Sequence, residues 1–227
     1  MTAREVAGTA GRLLRKAISY EFRLWRSLFR WILRRPPAEP GAATFGYAAL
    51  LTPVLVAFIV VSAIEIPIVH LVLPWASVRA TALAAGVYGL LWMFGLLAAM
   101  RVHPHVVGDA GLRVRSGMSA DLPVPWSAVA EIRTRSRTLE SNRAVQLHDG
   151  VLSVVVSRHT NVDVILREPT ALPLPGGPGE PVREVRFHAD DERALLAAAH
   201  ERLAAFRDRA AVAQDRAAGG HPPRTGT

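Results

Sequence analysis

Cysteine is absent from all 227 residues, which excludes a disulfide framework, a thiol nucleophile and any thiolate-ligated zinc or iron–sulfur centre. Lysine is almost absent: Lys16 is the one lysine among 27 basic residues, a bias that with the many alanines reflects genome composition more than function. Aromatic residues make up only 7% of a chain that is half hydrophobic. Charge is missing from two whole stretches, Gly41–Ile64 and Thr81–Met100. Each is about long enough to cross a hydrocarbon layer of ~30 Å at ~1.5 Å per helical residue. These runs exclude a simple cytosolic enzyme.

What charge there is collects at one end. Residues 1–40 hold nine basic and three acidic residues, a net +6, which leaves +2 for the other 187. The sequence pI near 11.2 therefore reports one arm placed before an apolar run, and no nucleic-acid partner is expected. Within the arm, Leu14, Ile18, Trp25, Leu28, Phe29 and Ile32 recur at helical spacing, with Glu21 interrupting the face. The pattern predicts an amphipathic juxtamembrane helix over 1–40. Arg23, Trp25, Arg26, Phe29, Arg30 and Trp31 would meet the membrane interface and its anionic inner-leaflet lipids. The plainer alternative is a basic flank that only sets orientation. Arginine interrupts every apolar stretch of the arm, so a cleavable signal peptide is not expected. Pro36, Pro37, Pro40 and Gly41 would end the helix in a linker.

Residues 41–101 read as a two-helix transmembrane hairpin, with spans at about 45–73 and 80–100. Phe45 and Tyr47 would belong to an interfacial belt, Pro53 would kink the first span, and the turn would lie at Pro74–Val78. Ala84, Ala85, Gly86, Gly89 and Gly95 would let the two helices approach closely. Basic residues crowd before the first span and after the second, and Arg79 alone lies between. The positive-inside rule then predicts a multi-pass protein of the inner (plasma) membrane with both termini cytoplasmic. Glu65 and His70 fall inside the first span. Intramembrane ionisable residues are costly and often functional, though a polar cap or a packing pair explains them equally simply.

After Arg101 the texture changes to short alternating runs broken by turn signals, the clearest being Asp149-Gly150 before Val151–Val156. Pro169–Pro181 reads as a surface loop. Asp190 would be the N-cap of a helix with an apolar stripe of Leu195, Leu196, Ala199, Leu203 and Phe206. The prediction is a cytoplasmic β domain over 102–210 capped by a helix, with a disordered tail at 211–227. Gly111, Leu112, Val114, Arg115, Gly117, Val124, Pro125, Trp126, Val129 and Ile132 form a pattern that resembles the opening strands of bacterial pleckstrin-homology-like domains in small two-span membrane proteins. The resemblance covers about residues 103–206. It implies an α+β protein in which the hairpin precedes a small β-barrel or sandwich with a C-terminal α-helix. Arg133–Arg143 and the Pro/Gly insertion depart from the simplest form of the pattern. The resemblance implies a fold and a location more than an activity.

Strand alternation would put Arg133, Arg135 and Arg137 on one face, and with Arg143 they form a candidate basic patch for anionic lipid or a protein partner. The alternative is a solvated sheet face. His103, His105 and Asp109 could contribute to a metal site, but a polar connector fits them better, and no metal or cofactor is expected. Trp126 reads as core. His148, Asp149, Ser153 and Ser157 supply the letters of a hydrolase without a nucleophile elbow, and the chain carries neither a Walker loop nor a dinucleotide fingerprint. The expected function is a non-enzymatic, membrane-anchored binding or scaffold module for a protein partner, a second copy or anionic headgroups. The competing expectation is an accessory subunit or proton-linked sensor of a transport complex using Glu65 and His70.

Overall fold

The computed structural model describes residues 3–33, 41–174 and 177–219. A long helix α1 (Ala3–Ile32) is followed by a three-residue strand β1 (Ala43–Phe45) and two apolar helices, α2 (Thr52–Val72) and α3 (Ala76–Val102). Pro36, Pro37 and Pro40 lie outside the described residues. α2 and α3 have 21 and 27 residues and are long and apolar enough to cross a membrane. Phe58, Val61, Ile64 and Leu71 of α2 are all more than half exposed, as lipid-facing side chains would be. Pro53 occupies the first turn of α2, where its missing N–H has no intrahelical partner to lose, so it starts the helix and does not kink it. Pro67 is the proline inside α2. The turn is tighter than expected, with Leu73–Trp75 between the helices.

The small residues of α3 serve two partners. A Cβ on Gly86 would lie 2.8 Å from Ile66 of α2, whereas one on Gly95 would lie 2.7 Å from Leu24 of α1. α1 therefore packs against α3 and is not an arm lying apart from the hairpin.

The remainder is a β domain in two sheets. β1 pairs with β2 (His105–Val107), β2 with β3 (Gly111–Ser116) and β3 with β4 (Ala120–Pro125), all antiparallel. A short 3-10 turn, Trp126–Ala128, leads into β5 (Val129–Thr138). The second sheet also takes β6 (Val145–His148), β7 (Val151–Val154), β8 (His159–Thr170) and β11 (Val182–Phe187), in the order β5-β8-β11-β7-β6. Its pairs are antiparallel except β11 with β7. Asp149 and Gly150 both have positive φ, as a two-residue hairpin turn between β6 and β7 requires. The two sheets remain open and do not close into one barrel. The Pro/Gly segment is not a free loop. β9 (Pro173–Leu174) pairs with β10 (Gly177–Pro178), and Leu172 is buried in the core.

Helix α4 (Glu192–Gly219) closes the domain, with Leu195, Ala199 and Leu203 buried against the sheets. Its cap is Asp191, whose carboxylate accepts from the Ala194 N–H at 2.9 Å. The helix persists through 211–219, where alanine, arginine and glutamine favour it, so the expected disordered tail is helical there, and 220–227 lie outside the described residues.

β1 explains why the first apolar helix begins at Thr52 and not near Phe45. Ala43, Thr44 and Phe45 pair with Val107, Val106 and His105, the residues that leave α3. Asp190, freed from capping, accepts from the Ala49 N–H at 3.0 Å, while its own N–H donates to the Gly46 carbonyl. Tyr47 is buried, not interfacial. Its ring lies 4.9 Å from that of His105 and its hydroxyl accepts from the Gly117 N–H. Burial pushes its phenol up to about 12. His105 donates from Nε2 to the His188 carbonyl at 2.8 Å and accepts at Nδ1 from the Arg115 N–H at 3.0 Å, which fixes a neutral tautomer.

Burial lowers the His105 pKa to about 4 from an ordinary 6.5. It outweighs the bond to the His188 carbonyl, which favours the charged form, while the His188 and Arg115 charges add to the lowering. Below pH 6.5 the unfolded chain takes up a proton that the folded chain refuses. Stability is therefore full above pH 6.5 and falls by about 3 kcal/mol as pH drops to about 4. Denaturant midpoints of the detergent-solubilised protein across this window should show the fall, and His105→Gln should flatten it. A pH-independent wild-type midpoint would contradict the buried neutral imidazole.

Candidate basic binding cleft

α1 presents three different faces. Leu24, Ser27 and Leu28 are buried, with Leu24 seated on Gly95 of α3. Leu14, Ile18, Phe22, Phe29 and Ile32 form an exposed apolar stripe, which exposed Leu33 follows just beyond the helix. Arg23, Arg26 and Arg30, at spacings of three and four, occupy a third side. Glu21, the interruption in the amphipathic face, is a hydrogen-bond hub. It accepts from Trp25 Nε1 at 3.0 Å and from the Tyr88 hydroxyl of α3. Tyr20 faces Trp92 with ring centroids 6.4 Å apart. The spacing Glu21-Trp25 on one helix and Tyr88-Trp92 on the other is the sequence signal for this packing.

The arginine side of α1 faces the β3–β4 turn across an open cleft of about 500 Å³. Arg23, Arg26, Ser27 and Arg30 form one wall, the turn from Gly117 to Asp121 the other, with His103, Pro173 and Leu174 at the ends. Gly117 has φ +50, a conformation that glycine adopts without strain. Among the described residues, the guanidinium groups of Arg23, Arg26 and Arg30 have no hydrogen-bonded or ionic partner. The one carboxylate among the described residues of the lining, Asp121, is committed elsewhere, 2.6 Å from Arg113 Nη2 and 3.3 Å from Arg115 Nε. Partial burial raises its pKa, but the two guanidiniums outweigh that and hold it below the ordinary carboxylate range. His103 Nδ1 donates to the Ala99 carbonyl at 2.9 Å. Burial lowers its pKa against that bond, and the Arg30 charge adds to the lowering. Beside this wall Arg115 is buried and its Nη1 lacks an acceptor. The cleft is thus rich in fixed positive charge and poor in acceptors, the chemistry of an anion site.

The arginines predicted on β5 are arranged differently. A bulge between Thr134 and Arg137 breaks the alternation that would align them. Arg133 lies 3.4 Å from the fully buried Asp163, Arg137 pairs with Asp163 and reaches Glu184 at 3.9 Å, and Glu184 also binds Arg186 at 2.8 Å. Arg133 and Arg137 therefore belong to an ion-pair network, while Arg135 is exposed with no such partner among the described residues. Arg143 is exposed in the loop before β6. Trp31 is half-buried and Phe29 exposed.

His103, His105 and Asp109 do not converge. His103 caps α3, His105 is spent on two backbone groups, and Asp109 pairs with Arg202. No metal-ligating cluster occurs among the described residues. His148 and Asp149 are exposed at a hairpin tip, Ser153 is buried in β7, and Ser157 lies in a turn, so these four do not assemble. Trp126 is fully buried and donates to the Gly108 carbonyl at 2.9 Å. Glu65 and His70 are exposed on α2 and are not bonded to each other. Glu65 borders a smaller cleft of about 290 Å³ beside Gly86 and Gly89.

Arg137→Ala should cost about 2–3 kcal/mol by leaving buried Asp163 with half its compensation, whereas Arg135→Ala should stay within about 0.5 kcal/mol. Urea or thermal midpoints of the two variants measure the difference, and equal losses would contradict the network.

No protein-family model matches the chain, and neither a curated protein nor a solved structure matches it.

Proposed function

We propose that the protein is a membrane-anchored, non-enzymatic binding module whose β domain is held against the cytoplasmic face by the α2–α3 hairpin. The observation that carries this reading is the junction. β1 enters and β2 leaves the apolar hairpin, and the two pair directly. A merely tethered domain would have a linker there; a paired one keeps a fixed orientation towards whatever it binds. The charge asymmetry around α2 and α3 supports cytoplasmic termini and an inner-membrane location. The binding surface is offered to a protein partner or a second copy.

The pleckstrin-homology-like reading belongs to the same proposal. Its motif glycines and tryptophan occupy constrained positions. A Cβ on Gly111 would lie 2.3 Å from the Val124 carbonyl oxygen, Gly117 turns β3 into β4, and Trp126 fills the core. The open sheets and the parallel β7–β11 pair differ from a closed antiparallel barrel. A second reading, a subunit or proton-linked sensor of a transport complex, draws on Glu65, whose carboxylate has no hydrogen-bonded or ionic partner among the described residues.

Because the chain has no cysteine, single cysteines report without background. In intact cells, Ala76→Cys at the first residue of α3, next to the hairpin turn, should react with a membrane-impermeant maleimide, and His148→Cys on the β domain only after permeabilisation. A thiol-attached photo-crosslinker on the His148→Cys variant in native membranes should then trap a discrete adduct or a dimer. External labelling at position 148, or a crosslinker that yields no discrete product, contradicts the proposal.

A further inference from the structure

We infer that the cleft between α1 and the β3–β4 turn binds the phosphate of an anionic phospholipid headgroup. The inference rests on the membrane-anchored reading above and gives that module a ligand site of its own, separate from the β5 arginines.

Three observations converge. First, Arg23, Arg26 and Arg30 line one wall of a cleft of about 500 Å³, a volume suited to a glycerophosphate group, and none of their guanidinium groups has a partner among the described residues. Guanidinium groups favour phosphate oxygens because their N–H donors match them in pairs. Second, nothing among the described residues of the lining opposes an anion. Asp121 is neutralised by Arg113 and Arg115, and buried Arg115 next to it still has an Nη1 without an acceptor. Third, the same helix carries an exposed apolar stripe, including Phe22 and Phe29, on the side adjoining the arginines. A soluble anion makes no use of that stripe. A phospholipid uses both, with acyl chains along the stripe and its phosphate in the cleft. The same cleft would accept free phosphate by the same chemistry, and the stripe is what assigns the anion to a lipid.

The test is native mass spectrometry of the full chain in detergent, titrated separately with phosphatidylglycerol, phosphatidylcholine, glycerol 1-phosphate and inorganic phosphate. Detergent micelles make the measurement independent of topology, so its failure and failure of the anchoring proposal are distinguishable. Wild-type protein should retain phosphatidylglycerol in preference to phosphatidylcholine. The triple variant Arg23→Gln, Arg26→Gln, Arg30→Gln should lose that preference by between about tenfold and about a hundredfold, three basic contacts being involved. The double variant Arg135→Gln, Arg143→Gln, which removes charge outside the cleft, should keep it. Each variant is first checked for a wild-type thermal midpoint. If the triple variant misfolds, Arg26→Gln alone should still lower the preference. Undiminished preference in a folded Arg23/Arg26/Arg30 variant overturns the site. Equal loss in the Arg135/Arg143 variant reduces the effect to bulk charge and also overturns it. If glycerol 1-phosphate or inorganic phosphate binds the cleft as tightly as the lipid, the lipid assignment is wrong.

Discussion

The three-residue ladder between β1 and β2 joins two segments that the chain separates by an entire helical hairpin, and the other contacts at the junction form around it. Three residue pairs are too few to close so long a loop unaided, because closure entropy grows with loop length and a short ladder returns little. The antiparallel packing of α2 on α3 solves this by bringing both ends of the hairpin to the same place. Once they meet, β1 completes the sheet begun by β2, β3 and β4, Asp190 reaches back to Gly46 and Ala49, and Tyr47 packs on His105. The buried neutral imidazole at the centre ties the helix exit to Arg115 and to the end of β11 through two backbone hydrogen bonds.

The arginines are divided by the same geometry. On β5 the bulge and buried Asp163 draw Arg133 and Arg137 into internal compensation, so those charges contribute to the fold. On α1 the helix repeat turns Arg23, Arg26 and Arg30 away from α3, and no carboxylate pairs with them among the described residues. A single sign of charge without partners requires either solvent or a ligand, and the β3–β4 turn opposite makes a walled cleft of that surface. Burial of Leu24 against Gly95 fixes α1 closely enough for the wall to have a defined shape.

Much of this was legible from residue order alone. The two charge-free runs marked both apolar helices, the first of which ends at Val72, and the Asp149-Gly150 turn and the α4 stripe were visible as local patterns. The failures share a cause: each is a non-local contact that overrides a local signal. Phe45 and Tyr47 look like an interfacial belt, but a strand on the far side of the hairpin recruits one and a histidine ring buries the other. Asp190 looks like a cap, but Ala49 claims its carboxylate and Asp191 takes over. Glu21 looks like an error in an amphipathic face until Tyr88 and Trp25 are placed beside it. Alternation aligned the β5 arginines as one exposed patch, but a bulge interrupts the strand and buried Asp163 of β8 takes up Arg133 and Arg137 without Arg135. The cleft residues Arg23, Arg26 and Arg30 were visible as interfacial residues, but the turn that faces them was not.

The central claim is that the apolar hairpin and the β domain form one structural unit through β1. Hydrogen exchange of the intact protein in lipid nanodiscs tests it most directly. Those amides of Ala43–Phe45 that donate to β2 should be protected like the ladder amides of β3, because both belong to one sheet. Exchange of Ala43–Phe45 at the rate of an open loop, while β3 stays protected, would contradict the account.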